Sequence, residues 1–427
     1  MIKPVTILQL LLIIIIVAIM GCDLGGERVE KTQKAKKSDV AFVDSSEGLP
    51  MSGSWRHGLG FYDMNDDGYV DILATPPRKA SAGDKEPVVW YGSKENTWKK
   101  GSIKVPSGIL YDYGSIAGGD FDGDNIADIA LAMHSQGLRF LKGAGKGEYV
   151  DFSEGVPLSK EFKSRAVVSG DFDNDGVSEF AAVSEAPFRS PRARPNGLWV
   201  FNFQGSRWES SPALKGNGAE GLYADQLVIG DVNGDGNKDI AIASLVQHRN
   251  LIIWVGDGKG GFTPFNKGLV KEKTYMSVAL GDIDMDGKDD LIASITGFGP
   301  KGFMGLKAFL NGSDGFEQIS EGLPENELFT AICAGDLDKA GGVEVVGVTA
   351  GGGIKIFRYS GNRWSQVPVQ GLPESGLTRT YGIYCIDIND DGYKDLALNY
   401  ALGRDDDSGG IRVFLNRTGN RAGPGNK

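Results

Sequence analysis

The sequence predicts an all-β chain, a seven-bladed β-propeller of four-stranded blades. Three observations predict it. An acidic loop recurs seven times, with first aspartates at 63, 120, 171, 231, 282, 336 and 387. Short apolar runs of strand character flank each copy. Glycine fills 63 of 427 positions without a collagen period, which marks a turn-rich chain. Length alone would suggest several domains. Repeats running from 63 to 395 stack instead as one unit.

Each repeat parses alike. A short strand leads into the acidic loop, as in Val167-Val-Ser-Gly-Asp171, and an apolar strand leaves it, as in Asp239-Ile-Ala-Ile-Ala243. A variable loop then leads to a third strand, such as Leu251-Ile-Ile-Trp254 or Ile354-Lys-Ile-Phe357. A Gly-rich turn reverses the chain into a fourth, such as Phe316-Glu-Gln-Ile-Ser-Glu-Gly-Leu-Pro324. Four antiparallel strands repeated about an axis make a propeller blade. The seventh repeat stops after its third strand. Residues 42–50 look like a fourth strand and stand before the first loop without a blade of their own. The N-terminal strand is therefore expected to pair into the last blade and close the ring, which removes exposed edges. The propeller domain spans about 40–417, with a C-terminal tail at 418–427.

The N-terminus reads as a targeting segment. Lys3 precedes an apolar run from Val5 to Met20, followed by Gly21-Cys22. A small residue and a Cys after an apolar core resemble a bacterial lipobox. That resemblance implies removal of residues 1–21 and lipidation of Cys22, with 22–39 as a lysine-rich tether. The expected location is the bacterial cell envelope, at the outer membrane or the outer leaflet of the cytoplasmic membrane. Net charge is −11, which argues against nucleic acid as a partner. A monomer is expected. Cys333 lies three residues before its acidic loop and Cys385 two before. On a strand of period 2 these positions face opposite ways. A disulfide between them is therefore not expected, and both read as buried thiols.

The loops carry oxygen side chains at positions 1, 3, 5 and 9, and usually Gly at 6. That spacing wraps a hard cation, with the carbonyl at position 7 joining the shell. Six copies supply the set. Loop one offers Asp63, Asn65, Asp67, Tyr69 and Asp71; loop two Asp120, Asp122, Asp124, Ile126 and Asp128; loop three Asp171, Asp173, Asp175, Val177 and Glu179. Loop four offers Asp231, Asn233, Asp235, Asn237 and Asp239; loop five Asp282, Asp284, Asp286, Lys288 and Asp290; loop seven Asp387, Asn389, Asp391, Tyr393 and Asp395. Loop two has Asn125 for the usual Gly, and Asn visits left-handed conformations readily. Loop six, Asp336 to Glu344, has Ala340 at position 5 beside Lys339, and is expected to stay empty. The expected cofactor is Ca2+ at about six sites, with a structural role. Zinc is disfavoured because no Cys or His joins the set. Magnesium is disfavoured because it rarely uses all-protein cages.

These Gly-Asp-Phe-Asp-x-Asp-Gly repeats resemble the FG-GAP/VCBS repeats of integrin α-chain propellers and bacterial surface proteins. The resemblance covers nearly all of the mature chain. It implies seven blades, calcium between first and second strands, and roles in adhesion or recognition. It names no ligand.

The strand order puts the loops between second and third strands on the face opposite the acidic loops. An aromatic precedes or opens each first strand: Trp55, Tyr113, Phe162, Tyr223, Tyr275, Phe329 and Tyr381, with Arg56, Arg165 and Arg379 near them. Aromatics and Arg around an axis stack sugars or clasp carboxylates; packing at blade seams is the competing reading. His57, His134 and His248 fall on this side in different blades, so no shared catalytic or metal site is expected. Gly256-Asp-Gly-Lys-Gly-Gly261 fits a dinucleotide pattern but opens no helix, and reads as a hairpin. The expected function is a non-enzymatic, envelope-anchored recognition or adhesion propeller for a surface protein or polysaccharide. The alternatives are a polysaccharide lyase using Arg56, His57 and Arg379, and a scaffold subunit of an envelope complex.

Overall fold

The computed structural model describes residues 40–79, 85–134, 136–158, 161–185, 196–212, 224, 226–243, 251–269, 274–296, 304–402 and 408–418. The expected leader, Cys22, the tether, Tyr223 and His248 lie outside them. Among the described residues every named element is a strand, and the strands form seven sheets. Blade two shows the plan: Gly114–Gly119, Asp128–Met133, Gly137–Gly143 and Tyr149–Asp151 pair antiparallel in chain order. Blades one and three to six repeat it. In blade seven, Gly382–Ile386, Asp395–Ala401 and Gly409–Asn416 pair in order, and Val40–Asp44 adds antiparallel to Gly409–Asn416 as the outer strand. The short strand Val369–Gln370 lies parallel beside Val40–Asp44.

The second strands are buried along nearly their whole length, as in Asp128–Met133 and Asp395–Ala401. Each is covered on both faces by neighbouring sheets, so the polar alternation of a half-exposed strand is absent. The first strands of all seven blades line a mostly apolar cavity of about 490 Å³ that includes Leu59, Ile116, Val167, Ile229, Leu280, Ile332 and Ile383.

Seams between blades are fastened at the rim. In Ser-Glu-Gly-Leu/Val-Pro segments after an outer strand, the Glu carbonyl accepts the backbone N–H of a Trp on the next blade's outer side: Glu154 from Trp208 at 2.8 Å and Glu321 from Trp364 at 2.8 Å. The indole N–H of each Trp returns to the same segment, to Phe152 O and Ile319 O, both at 2.8 Å. Residues 45–50 do the same to Trp98 of blade one, through Glu47 O and Ser45 O, each at 2.9 Å. Gly48, Gly155 and Gly322 have φ of 93°, 91° and 91°, and a Cβ there would strike the Trp backbone.

The expectation of free thiols is overturned. Cys333 and Cys385 form a disulfide, with Cα atoms 5.8 Å apart. The parity argument fails because the two strands belong to different sheets. Blades stack face to face, so a side chain pointing forward from one blade meets one pointing backward from the next. The same crossing recurs around the ring. A Cβ on Gly170, Gly230 or Gly281, one residue before its loop, would meet Ile229, Leu280 or Ala334, two residues before the next loop. Opposite parity is therefore what a bridge between neighbouring blades requires. The bridge spans 52 residues, a span for which the chain-entropy model gives about 4 kcal/mol of stabilisation. A Cys333→Ala/Cys385→Ala chain is expected to lose up to that amount, read as a lower denaturant midpoint than the oxidised protein.

Candidate metal centres and the opposite face

The position-9 acid opens the second strand in every blade and is buried: Asp71, Asp128, Glu179, Asp239, Asp290, Glu344 and Asp395 are at most 3% exposed. One carboxylate oxygen accepts the backbone N–H of position 2, for example Met64 to Asp71 at 2.8 Å and Val232 to Asp239 at 2.6 Å. In five blades the other oxygen accepts an N–H from the end of the third strand or the residue just past it: Gly92, Gly143, Gly256, Asn311 and Asn416, at 2.7–2.8 Å. The residue thus ties loop to strand as well as facing the loop interior, a second role the spacing did not reveal. Burial pushes the carboxyls of Asp71, Asp128, Glu179, Asp290 and Asp395 up to about 7, and that of Asp239 to about 6. Buried carboxylates this hard to ionise call for a positive partner.

The position-1 and position-5 carboxylates hold the loop backbone. In loop one, Asp63 accepts from Asp67 N at 3.2 Å and Gly68 N at 2.7 Å, and Asp67 accepts from Tyr69 N at 2.9 Å. Loops four and seven repeat this set. Position 6 is left-handed throughout, from Gly68 at 86° to Gly392 at 80°, and Asn125 takes the same conformation at 61°. Position 4 is left-handed too, in Asp66, Gly123, Asn174, Gly234, Met285, Lys339 and Asp390. Met and Lys carry no signal for that conformation, so the sequence did not show it. Ligand atoms of Asp120, Asp122 and Asp128, of Asp171, Asp173 and Glu179, of Asp282, Asp284 and Asp290, and of Asp336, Asp338 and Glu344 lie within 4.8 Å of one another. All-oxygen sets of this kind suit a hard divalent cation.

Loop six departs from the expected cause. Lys339 does not fill it; its Nζ lies 4.0 Å from the centroid of the Tyr393 ring in loop seven. Arg358, from the third strand, enters instead and pairs with Glu344 at 2.6 Å and with Asp338. In loop two, Lys142 pairs with Asp124 at 2.7 Å and with Asp122.

On the opposite face the aromatics divide. Trp55, Phe162, Tyr275 and Phe329 are buried as seam packing. Trp55 meets Trp90 edge-on at 5.1 Å, so it and Tyr275 are not surface ligand groups. Tyr113 and Tyr381 are half-buried and gather other groups. His57 and His134, from neighbouring blades, both stack on Tyr113, with centroids at 5.6 and 4.7 Å. The two imidazoles therefore share one stack, though they come from separate blades. Arg56 lies over Tyr381 at 5.4 Å and Tyr113 at 5.9 Å, and Arg78 over Tyr113 at 5.8 Å. Arg165 pairs with Glu185 at 2.8 Å, and Arg379 is exposed with φ of 52°. The buried Tyr381 hydroxyl has no hydrogen-bond partner among the described residues. Burial lowers the His134 pKa against the pull of Asp112, and burial raises that of Tyr113. Gly256 pairs with Phe262 across the Gly-rich turn, a hairpin as expected.

The FG-GAP-like repeat family model matches residues 63–131, 120–182 and 231–293. Each match starts at one acidic loop and ends in the second strand of the next blade, so the family unit straddles a seam. No curated protein matches the chain. The chain carries three FG-GAP-like repeats within a seven-bladed β-propeller.

Proposed function

We propose that the chain is a calcium-stabilised recognition propeller, lipid-anchored in the bacterial envelope, that takes its partner on the face opposite the acidic loops. The observation that carries this reading is the cluster of Tyr113, Tyr381, His57, His134, Arg56 and Arg78 drawn from blades one, two and seven. Flat aromatic rings beside guanidinium groups fit a sugar ring bearing a carboxylate, with the ring stacked and the acid in a fork. The family resemblance supports adhesion or recognition as the class of role. The oxygen-only loops support calcium as the ion. The disulfide supports an oxidising compartment outside the cytosol.

Binding of the mature chain to a panel of acidic polysaccharides and envelope proteins tests the reading. Arg56→Ala and Tyr381→Ala are each expected to weaken the best ligand by at least about tenfold, or 1.4 kcal/mol, with melting temperature unchanged. Equal binding by both variants would move the site elsewhere. The same cluster favours a second reading, β-elimination of an acidic glycan. An imidazole to take the proton α to the carboxylate, a phenol to protonate the leaving oxygen and a guanidinium to hold the acid are the set such a reaction needs. Unsaturated uronate products, absent with Arg56→Ala, would select it over plain binding.

A further inference from the structure

We propose that two of the seven acidic loops are closed by a cation of the chain itself, Lys142 in loop two and Arg358 in loop six, and take no metal ion. The inference rests on the reading of the other loops as calcium sites. Lys142 and Arg358 occupy one register position. Ile129 pairs with Leu141 and Val345 with Phe357, each the first residue after the position-9 acid and its third-strand partner. The next residue on the third strand is Lys142 in one blade and Arg358 in the other. Its side chain reaches over the mouth of the loop.

The contacts are those of a cation in a ligand shell. Arg358 presents two nitrogens to two carboxylates, Glu344 and Asp338, whose side chains are 1% and 0% exposed. A planar fork matched to two acids leaves no room for a second positive charge between them. Lys142 Nζ, a compact point charge, lies between Asp122 and Asp124. Both of these acids belong to the proposed metal shell.

The remaining blades show the converse. The matching residues are Tyr91, Asn202, Val255, Leu310 and Leu415, none of them charged. Loops one, four and seven have Asn at position 3. Its amide turns to the position-5 acid, at 2.9, 2.8 and 3.2 Å. Loops three and five also have Asp at position 3; there Asn202 donates to Asp173 at 3.1 Å, and Lys288, from the loop itself, pairs with Asp286 at 2.7 Å. A cation from the third strand therefore occurs only in loops with Asp at position 3, and in two of those four. Loop six has also lost its position-5 acid, to Ala340, yet keeps the left-handed residues of its neighbours: Lys339 at 56° and Gly341 at 90°, against Met285 at 64° and Gly287 at 87° in loop five. It holds the shape of a metal loop with a guanidinium inside.

Counting calcium or terbium ions bound to the mature chain by native mass spectrometry tests this. The wild type is expected to bind five ions, one for each remaining loop. Lys142→Met should bind six. Because Arg358→Met strands two buried acids and can fail to fold, the converse variant Val255→Lys is made beside it, and it should bind four. A wild-type count of six or seven, or an unchanged count in both Lys142→Met and Val255→Lys, overturns the tethered cations while leaving calcium in the other loops. A count of zero overturns the calcium reading and this inference together.

Discussion

Removing calcium with excess EGTA is expected to lower the melting temperature of the mature chain by roughly 9 °C. At free calcium ten times the dissociation constant, each site contributes about 1.4 kcal/mol. Five sites then supply about 7 kcal/mol, comparable to the net stability of an ordinary domain. Spread over the unfolding entropy of a domain of about 380 residues, that gives the stated shift. The position-9 acids add a pH signature. Their carboxyl pKa values, about 6 to 7, lie above the unfolded value, so the metal-free folded state holds more protons than the unfolded chain between about pH 4 and 7. Stability of the chelated protein should therefore rise as pH falls from 8 to 5. Protons and calcium compete for the same oxygens, so the gain from calcium should shrink over the same range. Calorimetry in EGTA and in calcium at both pH values checks this. Overlapping curves in the two buffers at pH 8 would remove calcium from the account.

Deleting residues 40–50 is expected to abolish the cooperative melt. The deletion leaves Gly409–Asn416 without its outer partner and exposes a strand edge. It removes the buried side chains of Val40, Phe42 and Leu49, worth on the order of 6 kcal/mol together. It also takes from Trp98 both of its acceptors, Glu47 O and Ser45 O. Ser46, whose hydroxyl accepts Val413 N at 3.0 Å, goes as well. A milder variant, Phe42→Ala, should lose about 3–5 kcal/mol and still fold. Circular dichroism melts with size-exclusion chromatography read both. A monomeric deletion variant that melts within a few degrees of wild type would show that this seam is dispensable.

The acidic loops were legible because everything that defines them lies within nine residues. The outer strand of blade seven was legible because residues 42–50 repeat a motif seen elsewhere in the chain. What stayed hidden is set by contacts between distant residues. Arg358 lies 14 residues from Glu344, and Lys142 lies 20 from Asp122. Neither looks unusual in a third strand until the strands are paired. The disulfide was misjudged because alternation was applied as if both cysteines shared one sheet. The stacking of His57 and His134 on Tyr113 depends on loop paths around the axis, which no periodicity encodes. Trp55 and Tyr275 stand eight and seven residues before their acidic loops, much as Tyr113 and Tyr381 stand seven and six before theirs. Only burial separates the seam fillers from the aromatics that gather Arg56 and Arg78.

The pairing of Val40–Asp44 with Gly409–Asn416 also sets a timetable. Ser46 and its partner Val413 are 367 residues apart. At about 5–20 residues per second of synthesis, the first strand made waits roughly 20–70 s for the last. Blades one to six need only their own short stretches of chain and can form in the meantime. Joining the two ends is the most non-local step and so the slowest. Until it happens the newborn chain is an open arc with a bare strand at one end. Whatever handles this protein during its biogenesis meets that arc before it meets the ring.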